Sequence, residues 1–241
     1  STRIGIDIIW PPKPRISMMT TAQLGSLVAN GLEDLKILYP ISESTFEVTE
    51  ATNENQRGGS FNPLKKITIS NLPTSNTWIF DSEPNVKCFG GGGNKVEKSI
   101  LYLANGKLYV MMIEMKSTMN KKNLDSLEDK FTCSLTKIAI FLSGNQTFVA
   151  LKNTPIVPIG IACFNEKTIN EQDARYSAKC NDFLQLPTQF KNKTKLLIEP
   201  VTLNRIDMPL LFFQNPDFVA NSSAASDNFT IPFPNILPIK S

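Results

Sequence analysis

Histidine is absent from this 241-residue chain, and that absence removes whole classes of chemistry. Ser-His-Asp and Cys-His nucleophilic sites, His-ligated zinc, HNH-type nucleases and histidine acid–base cleavage of RNA are all excluded. Cysteine is scarce too. Cys88, Cys133, Cys163 and Cys180 form no Cys-x-x-Cys pair, so a zinc knuckle or a thioredoxin-like motif is not expected. Cys133 falls in a predicted helix and Cys163 in a predicted strand, where a thiol acts as a small buried hydrophobe. No apolar run approaches the roughly 18 residues of a membrane span, and the N-terminus lacks the apolar core of a signal peptide. Sequons at Asn145, Asn192, Asn221 and Asn228 are about as many as an asparagine-rich chain yields by chance. Together these features favour a reduced, cytoplasmic protein, with a processed secreted chain left open. Net charge is only +3, so overall charge names no partner. Lysine is nevertheless concentrated between Lys87 and Lys137, where nine lysines face five acids.

What is present centres on a hairpin. Residues 97–104 and 107–116 are apolar, β-prone runs separated by Asn105-Gly106. That dipeptide is the strongest short-range hairpin signal, because a type I′ turn needs positive φ at both central positions. A two-residue loop fixes the register: Ala104 faces Lys107, Leu101 faces Val110, and Glu97 is expected directly opposite Glu114. Period-two alternation puts Lys116 on the same face. Two opposed carboxylates in an apolar ladder repel each other unless something positive lies between them. A divalent cation meets that need, with Lys116 beside it.

Glu114-Met115-Lys116, preceded by the apolar strand 108–113 and followed by Ser117-Thr118, resembles the (D/E)-x-K element of the PD-(D/E)xK nuclease superfamily. The resemblance covers roughly residues 79–164. It implies a restriction-endonuclease-like α/β fold, a mixed β-sheet core flanked by helices, here with extra β elements. It also implies Mg²⁺-dependent hydrolysis of phosphodiester bonds in DNA, with Mn²⁺ as a substitute metal. Glu97 and Glu114 would supply carboxylates to the metal, the Met115 carbonyl a third oxygen, and Lys116 the cation beside the scissile phosphate. The family's first acid is usually Asp, whereas this chain has Val96-Glu97; Asp81, in Ile79-Phe80-Asp81, takes that role if the register slips. Members often carry a further acid on their first helix, for which Glu33 is the first choice and Asp34 the second. Lys95, Ser117, Lys121, Lys122 and Lys130 are the expected nucleic-acid contacts. Double-stranded DNA is the expected partner, and a homodimer is left open.

The order of elements agrees with that fold. Residues 3–10 read as a strand and 20–38 as a helix opened by Thr20-x-x-Gln23 and ended by Pro40. Residues 45–49, 66–70 and 77–81 read as strands. The run Gly90 to Gly93 lacks the GxxxxGK[S/T] pattern and precedes a strand, so it reads as a loop beside the site. After a polar loop at 117–122, Asp125-x-x-Glu128 signals a helix start. Leu124, Leu127, Phe131, Leu135, Ile138 and Leu142 then recur at spacings of three and four, which predicts an amphipathic helix closing near Gly144. A buried strand at 156–164 follows, then strands at 195–202 and 208–213. Residues 1–220 are read as one domain and 221–241 as an extended C-terminal tail. Two other classes fit the same composition: a non-catalytic nucleic-acid-binding module, and a mostly β structural or surface protein.

Overall fold

In a computed structural model, the described residues are 38–49, 64–81, 95–144, 154–168, 195–203, 206–219 and 227–237. The predicted strand at 3–10, the first helix with Glu33 and Asp34, and the glycine run at 90–93 lie outside them. Within the described residues the chain is mixed α/β, with two mixed sheets and one helix.

The Asn105-Gly106 turn forms as its chemistry requires. Both residues have positive φ, 51° and 68°, the type I′ condition. It joins β5 (Lys98–Ala104) to β6 (Lys107–Met119), and the ladder runs from Ala104↔Lys107 to Lys98↔Ile113 in the expected register. On the far side of β5 lie β4 (Thr77–Phe80) and then the edge strand β1 (Leu38–Pro40), both antiparallel. Leu38 was expected to end a helix. It instead opens a strand on β4, and Pro40 is tolerated there because an edge strand can spare a donor.

From β6 the chain enters α1 (Lys121–Gly144) and returns as β7 (Ile156–Lys167), parallel to β6. β9 (Ile206–Gln214) lies parallel to β7, and β8 (Lys195–Leu203) closes the seven-stranded sheet antiparallel to β9. The sheet order is β1-β4-β5-β6-β7-β9-β8. A smaller sheet sets β3 (Lys66–Ser70) between β2 (Phe46–Thr49) and β10 (Asn228–Pro232).

Two apolar clusters fill the space on either side of the large sheet. On one face Leu101, Val110, Met112, Ala162 and Phe164 meet the predicted stripe of α1: Leu127, Phe131, Leu135, Ile138 and Leu142 are buried and Leu124 packs against them. Phe141 adds an edge-on contact to Phe80 at 5.5 Å between ring centres. The helix sits close because β7 is small beneath it. A Cβ on Gly160 would lie 3.0 Å from the Phe131 ring and 2.6 Å from Leu210. On the other face Ile100, Met111, Ile113, Met115, Ile161 and Cys163 meet Val48, Ile67, Ile69, Phe229 and Ile231 of the small sheet.

Two sequence expectations are corrected here. The stretch 117–122 is not a loop: β6 continues through Met119 and α1 begins at Lys121. Asn120 caps the helix, its side-chain oxygen accepting the N–H of Asn123 at 2.9 Å, so the Asp125 signal lies inside the helix. The C-terminal segment is not wholly an extended tail. Residues Asn228–Pro232 form β10, parallel to β3, and Phe229, Ile231, Phe233 and Ile236 are buried. Its one proline, Pro232, fits because β10 is an edge strand.

Candidate active site

Alternation along β6 sends Val110 and Met112 toward α1 and Met111, Ile113 and Met115 toward the small sheet. Glu114 therefore points under the helix. Its side chain is 0% exposed, and the Lys116 and Lys130 ammoniums both bind its Oε1 at 2.5 Å. Lys116 arrives from two residues along the strand, and Lys130 from the third turn of α1. Both lysines keep a little exposure, 18% and 17%. The other carboxylate oxygen, Oε2, is buried with no hydrogen-bond partner in the structure. An unmatched buried acceptor on a carboxylate is costly and calls for a donor or a cation.

Glu97 does not stand where strict register would put it. The ladder pairs Lys98 with Ile113, yet the Glu97 N–H also donates to the Ile113 carbonyl at 3.0 Å. Two residues thus meet one, as in a β-bulge, which relieves the direct opposition of two carboxylates. The preceding residue is tied to the helix: the Val96 N–H donates to the buried Ser134 Oγ at 3.0 Å. Ser134 lies one turn beyond Lys130, so α1 fixes both acid-bearing segments at once. Glu97 is near enough to act on the Lys116 ammonium. Burial pushes the Lys116 pKa down, but attraction and hydrogen bonding from Glu114, with a further pull from Glu97, outweigh it and hold the pKa above 10.5.

That shift has a testable sign. A lysine whose folded pKa is raised contributes stability that is complete below the unfolded value and lost as pH climbs through the folded one. Urea denaturation is expected to show stability falling on the alkaline limb above the ordinary lysine value of 10.5. Lys116→Met is expected to flatten that limb.

The remaining sequence candidates divide by position. Met115 pairs with Cys163 and its side chain lies in the cluster on the small-sheet side, so only its backbone bears on the site. Burial, then the charge of Glu114, push the Cys163 thiol far up, and it stays protonated as core. Asp81 is held by Lys98 at 2.7 Å. Its charge also raises the Tyr39 pKa after the larger effect of burial, and Tyr39 packs on the small-sheet side. Asp81 is thus drawn to the face opposite Glu114, one strand removed across β5. Ser117 continues β6 and is half-buried, as is Lys95 just before Val96, while Lys121 and Lys122 are exposed in the first turn of α1.

Comparison with protein-family models, with curated proteins and with solved structures returned no match. The site's chemistry must therefore be argued from its own atoms. Among the described residues no group of three or more Asp, Glu, Cys or His gathers as a metal cage. The same residues contain no helix long and apolar enough to cross a membrane. Mg²⁺ is commonly held by only one or two carboxylates, with water and substrate phosphate completing the shell. Glu114 Oε2, buried and unmatched, is a hard oxygen donor of the kind such an ion takes. Sequence reasoning had placed Lys130 among the DNA contacts and had not singled out Ser134. A lysine at the i position and a serine at i+4 on one helix face was the available signal.

Proposed function

We propose that the chain is a Mg²⁺-dependent phosphodiesterase acting on DNA, built on a restriction-endonuclease-like core. The observation that carries this reading is Glu114: a fully buried carboxylate with one oxygen shared by two lysines and the other unmatched. A buried ion cluster is a poor device for stability, since well-packed apolar residues of similar size do as well or better. Its presence just past the end of the β5–β6 ladder, beside a bulged Glu97, suits chemistry. The strand order supports the same reading: antiparallel β4, β5 and β6, then a helix, then a parallel strand. Lys121 and Lys122 add to it. Two cations at the positive end of a helix are unfavourable by themselves, and a polyanion nearby makes that arrangement useful.

In this reading Glu97 and Glu114 hold the cation. A bound Mg²⁺ supplies Lewis-acid stabilisation of the phosphoryl oxygens and an activated water. Lys116, held in advance by Glu114, would set its ammonium against the negative charge that grows on the phosphate. Met112, Phe164 and the helix stripe exclude bulk water behind the acids, which strengthens each of these interactions. Lys95, Ser117, Lys121 and Lys122 serve the DNA backbone, a contribution that carries no sequence information.

The test is incubation of the purified protein with supercoiled plasmid, linear duplex, single strands and RNA under Mg²⁺, Mn²⁺ or EDTA. Nicking or linearisation of DNA that needs the metal is the expected result. Intact substrates under every condition, with salt-sensitive binding retained, would favour a non-catalytic nucleic-acid-binding module.

A further inference from the structure

Resting on that reading, we infer that Lys130 is a metal-displaced lysine: it occupies Glu114 in the metal-free protein and passes to a DNA phosphate when a divalent cation enters. Two ammoniums share Glu114 Oε1, each at 2.5 Å. A cation entering on this carboxylate meets them as competitors and repels them. Lys116 is fixed to the strand two residues away, with Glu97 also attracting it. Lys130 comes from a different element, is partly exposed at 17%, and has a long stem that can swing without moving the backbone. The helix itself does not have to shift, because Ser134 anchors it to Val96 and Phe131 is buried against β7. Once released, the Lys130 ammonium stands at the edge of the site on the helix that also presents exposed Lys121 and Lys122. A phosphate is the anion that such a charge meets in the proposed reaction. The exchange conserves pairing: one carboxylate trades an ammonium for a cation, and the ammonium trades a carboxylate for a phosphate.

The consequence has a sign that a merely structural lysine does not produce. Lys130→Met should bind Mn²⁺ more tightly than the wild type in the absence of DNA, by about tenfold, the order expected when a competing charge-assisted hydrogen bond is removed. It should also lose about one phosphate contact from the salt dependence of DNA binding, and lose it only when Ca²⁺ or another divalent cation is present. Calorimetric Mn²⁺ titration and DNA-binding salt slopes with and without Ca²⁺ read both effects. Lys130→Arg serves as the second variant; it keeps the cation, and the metal-dependent salt slope should return. If the wild type binds Mn²⁺ and cuts DNA while Lys130→Met binds Mn²⁺ no more tightly, this inference is overturned and the nuclease reading stands. If the wild type binds no Mn²⁺, both fall.

Discussion

Glu114→Ala is expected to destabilise the protein by about 3–5 kcal/mol and to abolish divalent-metal binding. The stability loss follows from what remains: two largely buried ammoniums, 18% and 17% exposed, that lose the carboxylate they share, with only the weaker pull of Glu97 on Lys116 left. Urea denaturation of wild type and variant reads the first effect, and Mn²⁺ titration the second. A companion variant separates structure from chemistry. Replacing the whole cluster with apolar side chains of similar volume, Glu114→Leu with Lys116→Met and Lys130→Met, should restore most or all of the lost stability while leaving metal binding absent. Rescue of that kind would mark the charges as dispensable for folding. A triple variant as unstable as Glu114→Ala would instead make the cluster a structural element of the sheet–helix interface.

How much of this was legible in the sequence depends on which interactions decide each element. The hairpin was legible to the residue, because Asn105-Gly106 sets a turn whose register leaves no freedom between Ala104 and Lys98. The buried face of α1 was legible because Leu127, Phe131, Leu135, Ile138 and Leu142 carry the period of the helix. Its start was misplaced. Asp125 and Asn120 both offer a capping side chain, and the choice between them is made by β6, which runs on through polar Ser117 and Thr118 because β7 continues beside it. That extension places Lys130 over Glu114.

The departure of Glu97 from strict register was invisible for a similar reason. It depends on Ser134 holding Val96 and on two carboxylates avoiding direct opposition, both contacts between distant segments. The last strand was missed because prolines usually disqualify a strand. β10 holds only Pro232, at its last position on the rim of the small sheet, and the next residue, Phe233, packs edge-on against Tyr102 at 5.2 Å. Sequence patterns thus resolved the local elements, and tertiary contacts decided where their ends fell. The candidate site draws Glu97 from one such end, just before β5, and Glu114 and Lys116 from within β6.

Lys116→Ala is the second large effect. The side chain reaches Glu114 from the strand, and in the proposed reaction it would meet the charge that develops on phosphate, so its loss should act on the transition state far more than on the bound state. Cleavage should fall by about 100- to 1000-fold, the usual consequence of deleting one preorganised electrostatic partner. Lys130 still neutralises Glu114 in that variant, so the fold should persist. The decisive measurement is single-turnover cleavage of duplex DNA by wild type and Lys116→Ala under saturating Mn²⁺, with DNA affinity measured in parallel. The account predicts that the variant binds DNA within a few-fold of the wild type and scarcely cuts it. A variant that cuts at the wild-type rate would remove Glu114-x-Lys116 from the reaction and contradict the account.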